Sequence, residues 1–110
     1  MIETTVLNYL DGVLTEPCCM EVPGNPPETF VVIEKTGSSR MNRVNSATFA
    51  IQSYAGTMEK AAELNEKVKT AMDNIITLSD IGGVYLNSDY NFTNTQTEKY
   101  RYQAVYVLYY

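Results

Sequence analysis

Apolar positions along the chain fall into one strong helical stripe and several alternating runs. Ala61, Leu64, Val68, Ala71, Met72 and Ile75 recur at intervals of three and four, which predicts an amphipathic helix with one packed face. Thr57, after Gly56, is placed to cap it, and Glu59 in the first turn suits the positive end of the dipole. Glu63 and Lys67 stand in the i, i+4 order that favours an ion pair. A second set, Ile2, Val6, Leu7, Tyr9, Leu10, Val13 and Leu14, predicts a short N-terminal helix ending near Leu10, with Gly12 as its terminator.

The other apolar runs alternate with a period of two. Phe30 to Lys35 is rich in β-branched residues and apolar on both faces at its start, so it belongs inside a sheet. Ser46 to Tyr54 places Ala47, Phe49, Ile51 and Ser53 on one side and Thr48, Ala50, Gln52 and Tyr54 on the other. The final run sets Tyr100, Tyr102, Ala104, Tyr106 and Leu108 against Arg101, Gln103, Val105, Val107 and Tyr109. A terminal strand this apolar must be paired within the sheet. Pro17 to Val22 reads as a short extended run, Gly24-Asn25-Pro26-Pro27 as a turn, and Val84 to Leu86 as the entry to a strand. Asn87 to Glu98 is dominated by Asn, Asp, Ser and Thr and predicts a loop or irregular edge.

Gly37 interrupts the first long strand. The polar residues that follow predict a mobile connection, so the two strands form an antiparallel hairpin with a long loop. The sum is an α+β fold: one mainly antiparallel sheet of four to five strands with two helices packed on one face. At 110 residues the chain makes a single domain, residues 1–110, with a flexible hairpin arm at about 37–45.

Charge and composition narrow the chemistry. The net charge of −5 argues against a nucleic-acid binder that works by neutralising phosphates, but does not exclude a protein that lets DNA pass without gripping it. With no histidine, Ser–His and Cys–His catalysis are excluded. Cys18 and Cys19 lack two further ligands for zinc and are adjacent, so one thiol is expected toward the core and one outward. Asp89-Tyr90-Asn91 begins like a calcium loop but lacks the required glycine and glutamate spacing. Gly37-Ser38-Ser39-Arg40 leads to a strand rather than a helix N-terminus, which disfavours a phosphate cradle. The acids Glu21, Glu34, Asp80, Asp89 and Glu98 are scattered and read as solvated surface. No catalytic set, metal or cofactor is expected, and no enzymatic activity.

The N-terminus has no signal-peptide pattern, and no segment approaches the ~20 apolar residues a membrane helix needs, so a cytosolic, membrane-free protein is expected. Nine tyrosines, five of them in the last eleven residues, suit either a base-stacking platform or a core with a subunit interface. Only Lys99 and Arg101 supply local positive charge, which favours the interface.

Several of these residues carry a family resemblance. Val22-Pro23, Pro26-Pro27 running into Phe30-Val31-Val32-Ile33, then Thr48 to Tyr54, the helix through Ala62-Glu63 and Val68, and the tyrosine-rich closing strand resemble the tail terminator (tail-completion, tail-to-head joining) proteins of long-tailed bacteriophages. The resemblance implies a small virion subunit, assembled in the host cytoplasm, that closes into a ring, usually a hexamer. That ring caps the tail tube, stops its polymerisation and meets the head–tail connector, while DNA passes through its lumen without sequence-specific binding. It implies that Ser38 to Asn45 is a hairpin arm that orders on assembly, with Arg40, Met41 and Arg43 as interface residues. The family offers no catalytic motif. Competing expectations are a neck or head-closure connector subunit and a cytosolic adaptor that binds peptides along a sheet edge.

Overall fold

A computed structural model of the chain describes residues 1–97 and 99–110. Five strands, β1 (Cys18–Cys19), β2 (Phe30–Met41), β3 (Val44–Ala55), β4 (Gly83–Asn91) and β5 (Tyr100–Tyr109), form one sheet in the order β1-β2-β3-β5-β4. Among the described residues only the β1–β2 pair is parallel. Two helices, α1 (Ile2–Val13) and α2 (Met58–Asp73), cover one face, and a 3₁₀ turn (Ile75–Thr77) follows α2. The fold is α+β, and β5 is an interior strand between β3 and β4, as its apolar alternation requires.

The core is the seam between the helices and this face. Ala61, Val68, Met72 and Ile75 from the α2 stripe are fully buried against Phe49, Ile51, Tyr106 and Leu108, with Val6 and Leu10 arriving from α1. Each large apolar side chain withdrawn from water here contributes roughly 1.5–3 kcal/mol. Thr57 caps α2 by accepting the Lys60 N–H at 3.2 Å. No helix among the described residues is long and apolar enough to cross a membrane.

Three local expectations are corrected. Helix α1 does not stop at Leu10: it continues through Asp11-Gly12, and the Leu14 N–H still bonds the Leu10 carbonyl at 2.8 Å. Leu10 and Leu14 are both buried, so packing holds the extra turn that glycine alone would have released. Lys67 does not pair with Glu63; it reaches Glu16 at 2.6 Å, beyond the end of α1. Of the stretch read as loop or irregular edge, residues 87–91 take the second form: they are the second half of β4, an edge strand with a bulge between Leu86 and Ser88. A strand with one edge and part of one face in water accepts polar residues there.

The third correction concerns the hairpin. Strand β2 does not break at Gly37 but runs on to Met41, and the expected long loop is a two-residue turn, Asn42-Arg43. The ladder pairs Ser38 with Ala47, Ser39 with Ser46, Arg40 with Asn45 and Met41 with Val44. Gly37 is accommodated by a register shift between Lys35 and Gly37. A bulge of this kind tolerates glycine and twists the ribbon.

Candidate functional site

The β2–β3 ribbon outgrows the sheet that carries it. Beyond Glu34, β2 is exposed, and β1 pairs only with Val31 and Val32. On the other side, β5 follows β3 only as far as the Ser46–Tyr109 pair, with one more bond from the Tyr110 N–H to the Asn45 carbonyl. Residues 40–44 therefore project past the last strand, and the molecule measures 44 × 25 × 24 Å. The candidate interface residues Arg40, Met41 and Arg43 all lie at this tip.

Alternation decides what the tip presents. Ser39 and Met41 share the face of Ser46 and Val44, the face opposite the helices, and the Ser39 and Ser46 hydroxyls sit 2.7 Å apart. Arg40 and Asn45 point to the helix side, and Arg43 occupies the turn. Met41 is 75% exposed and Val44 50%, so the tip offers an apolar rung flanked by guanidinium groups on an acidic chain. Ser39, Met41, Val44 and Ser46 form, with Tyr109, a groove of about 360 Å³. Val44 and Tyr109 were not legible as site residues: one lies in a predicted loop, and the other joins only through the β3–β5 register.

The groove opens onto the uncovered face of the sheet. Tyr85 stacks on Tyr109 with ring centres 6.3 Å apart, and Tyr90 meets Phe92 edge-on at 5.9 Å; all four rings are exposed. Farther toward β1 this face becomes a sealed layer. Phe30 stacks on Tyr54 at 4.5 Å, and Cys19 packs beside them, so the second thiol covers a small cluster instead of facing water. Cys18 packs on the helix side, where burial first, then the nearby Asp11 carboxylate, pushes its pKa up to about 12. Burial also raises Cys19.

Polar groups on this face are already engaged. The Gln52 amide donates to Gln103 at 2.9 Å, Gln103 bonds the Tyr90 hydroxyl, and the Tyr54 hydroxyl donates to Gln52 at 3.1 Å. Arg101 donates to the Tyr54 hydroxyl and to the Phe92 carbonyl, both at 2.7 Å, and lies 4.3 Å above the Phe92 ring. Two of the five guanidinium donors are thereby committed within the fold. Tyr106 belongs to the other face, donating to Asp73 at 3.2 Å beneath α2.

The remaining sequence candidates disperse. Asp89-Tyr90-Asn91 lies on β4, where alternation sends Asp89 to Lys69 of α2 at 2.7 Å and Tyr90 to the open face. Gly37 to Arg40 is strand, with no helix N-terminus behind it. Glu21, Glu34 and Asp80 are exposed at separate places, and Glu98 lies outside the described residues. Among the described residues, no group of three or more His, Cys, Asp or Glu stands together as a metal would require. The chain matches no protein-family model, and no curated protein matches it.

Proposed function

We propose that this chain is a structural subunit of a long-tailed bacteriophage: a tail terminator that closes into a ring on the tail tube and joins the tail to the head. The observation that carries the reading is the ribbon tip, where Met41 and Val44 stand exposed with Arg40 and Arg43 beyond the edge of an otherwise packed sheet. An apolar rung held in water on a projecting arm is a contact awaiting a partner. Support also comes from the aromatic patch of Tyr85, Tyr90, Phe92 and Tyr109, which extends the same face. Rigid rings with polar tips suit subunit interfaces. The net charge of −5 fits a lumen past which DNA slides without being gripped.

The subunit acts by shape. Its contacts are heterologous, with the arm of one copy meeting a different surface on the next, and such contacts close into a ring when the rotation permits. Electron microscopy of particles assembled without the protein tests the reading. Overlong, headless tails are expected. Normal-length tails lacking heads would move the protein to the neck, and intact particles would remove it from the virion.

A further inference from the structure

Neither free strand edge is well made for joining copies by backbone pairing. The β4 edge carries the bulge at Leu86–Ser88, and the free edge of β2 carries the irregularity at Lys35–Gly37. Bulged edges resist strand addition. The contact of the ribbon tip is therefore sought among side chains, on a surface complementary to an apolar rung with a guanidinium beside it.

One surface has both properties. A groove of about 420 Å³ lies between the helices, lined by Tyr9, Val13 and Leu14 of the α1 end and by Glu66, Thr70 and Ala71 of α2. Val13 stands 54% exposed on its rim. The Tyr9 hydroxyl donates to the Ala71 carbonyl at 2.7 Å, which fixes the ring as one wall. The C-terminal ends of both helices meet here, and neither has a basic residue in its last turn. Each end carries partial negative charge without a cation to offset it. Lys67, which also lines the groove, is held by Glu16, while Lys69 is shared between Glu66 and Asp89. Of these charged groups only Glu66 and Lys67 line the groove, so its negative character comes from the two helix ends.

We infer that the β-ribbon tip of one copy of this chain docks into the α1–α2 groove of a second copy, placing Met41 and Val44 against Tyr9 and Val13 and Arg43 toward the negative helix ends. The inference rests on the ring-subunit reading and names the surface that receives the arm. Opposite charge and matching apolar character assign the occupant: the tip carries cations, whereas the groove's own Lys67 is already paired with Glu16 and the two helix ends have no basic residue in their last turns. Methionine suits such a site because its flexible thioether adapts to an aromatic wall. Arg40 lies on the other face of the ribbon, so it contributes less than Arg43. The arm and the groove are different patches, so the contact is head-to-tail and propagates around a ring.

A photo-crosslinking benzoylphenylalanine at position 41, in an equimolar mixture of isotopically light and heavy full-length chains, tests this directly. Adducts between light and heavy copies are expected on the peptides holding Val13 or Thr70. In sedimentation at high chain concentration, Val13→Asp and Arg43→Glu are each expected to weaken self-association at least tenfold, with Arg40→Glu weaker in effect. Glu66→Arg is expected to restore part of the association lost by Arg43→Glu. Circular dichroism confirms that each exposed-site variant is folded. Adducts confined to another surface of the second copy, with association intact, overturn the groove while leaving the ring subunit standing. A strict monomer at millimolar concentration overturns both.

Discussion

Asn42 and Arg43 sit side by side in the left-handed region, at φ 51° and 67°, in the turn that closes the β2–β3 ribbon. A two-residue hairpin with both central residues at positive φ is a type I′ turn, for which Asn-Gly is the favoured pair. Arginine at the second position carries a steric cost of about 1–2 kcal/mol. Arg43→Gly is therefore expected to tighten the ribbon, slowing amide exchange at residues 39–45 by roughly 5–30-fold. Hydrogen exchange measures this, and the same variant should assemble less well because the tip loses a cation. Faster exchange at those amides would show that the turn is unstrained.

The tip is separable from the fold. Ser39 and Ser46 form the last rung in register with β5, so replacing residues 40–45 with Asn-Gly closes the ribbon there. Thermal unfolding of the shortened chain is expected within a few degrees of the parent, while incorporation into particles is lost. Collapse of the unfolding transition would make the tip part of the folding core.

Val68 is fully buried in the α2 stripe, within the apolar core cluster. Val68→Asp should cost more than about 4 kcal/mol and abolish the cooperative transition seen by near-ultraviolet circular dichroism.

Gln52 and Gln103 are both buried and bonded to each other on the open face. Gln103→Ala leaves the Gln52 amide and the Tyr90 hydroxyl short of partners, a loss of about 1–3 kcal/mol. Replacing both glutamines with leucine is expected to recover most of that loss. Urea midpoints of Gln52→Leu, Gln103→Leu and the double leucine variant decide it through the coupling energy.

Stability should fall at both extremes of pH. Cys18 titrates at about 12 in the folded chain against an ordinary 9.0. Above pH 9.0 the unfolded state sheds this proton while the folded state keeps it, so rising pH favours unfolding. Tyr106, raised by burial and then by Asp73, adds to the loss above its ordinary 10.0. For Glu16, burial raises the pKa, but the Lys67 ammonium and backbone bonding outweigh it and leave the carboxyl below 4.5. As pH falls through 4.5 the unfolded state takes up the proton first, and the contribution of the pair is lost on the acid side. Denaturation midpoints across pH check the shape, and Cys18→Ala should flatten the first part of the alkaline decline.

Sequence periodicity was sufficient for the elements that build the core. The α2 stripe from Ala61 to Ile75, the Thr57 cap, and the alternation of Phe49 and Ile51 on β3 and of Tyr106 and Leu108 on β5 are each written in residues three, four or two apart. Spacing of this kind survives folding because burial of the whole apolar face is what selects the element. Tertiary structure decided the rest. Ser38 to Met41 have little strand propensity of their own; their pairing with Val44 to Ala47 makes them strand, across a turn that lacks the usual glycine signal. Lys67 had two acidic partners in reach of its flexible stem, and the position of Glu16 after α1 chose between them. Met41 and Tyr109 lie far apart in the chain and share a groove only because β3 lines up with both β2 and β5. Local spacing encodes which face of an element is apolar, whereas the neighbours that face meets depend on cross-strand register, which no short window of sequence contains.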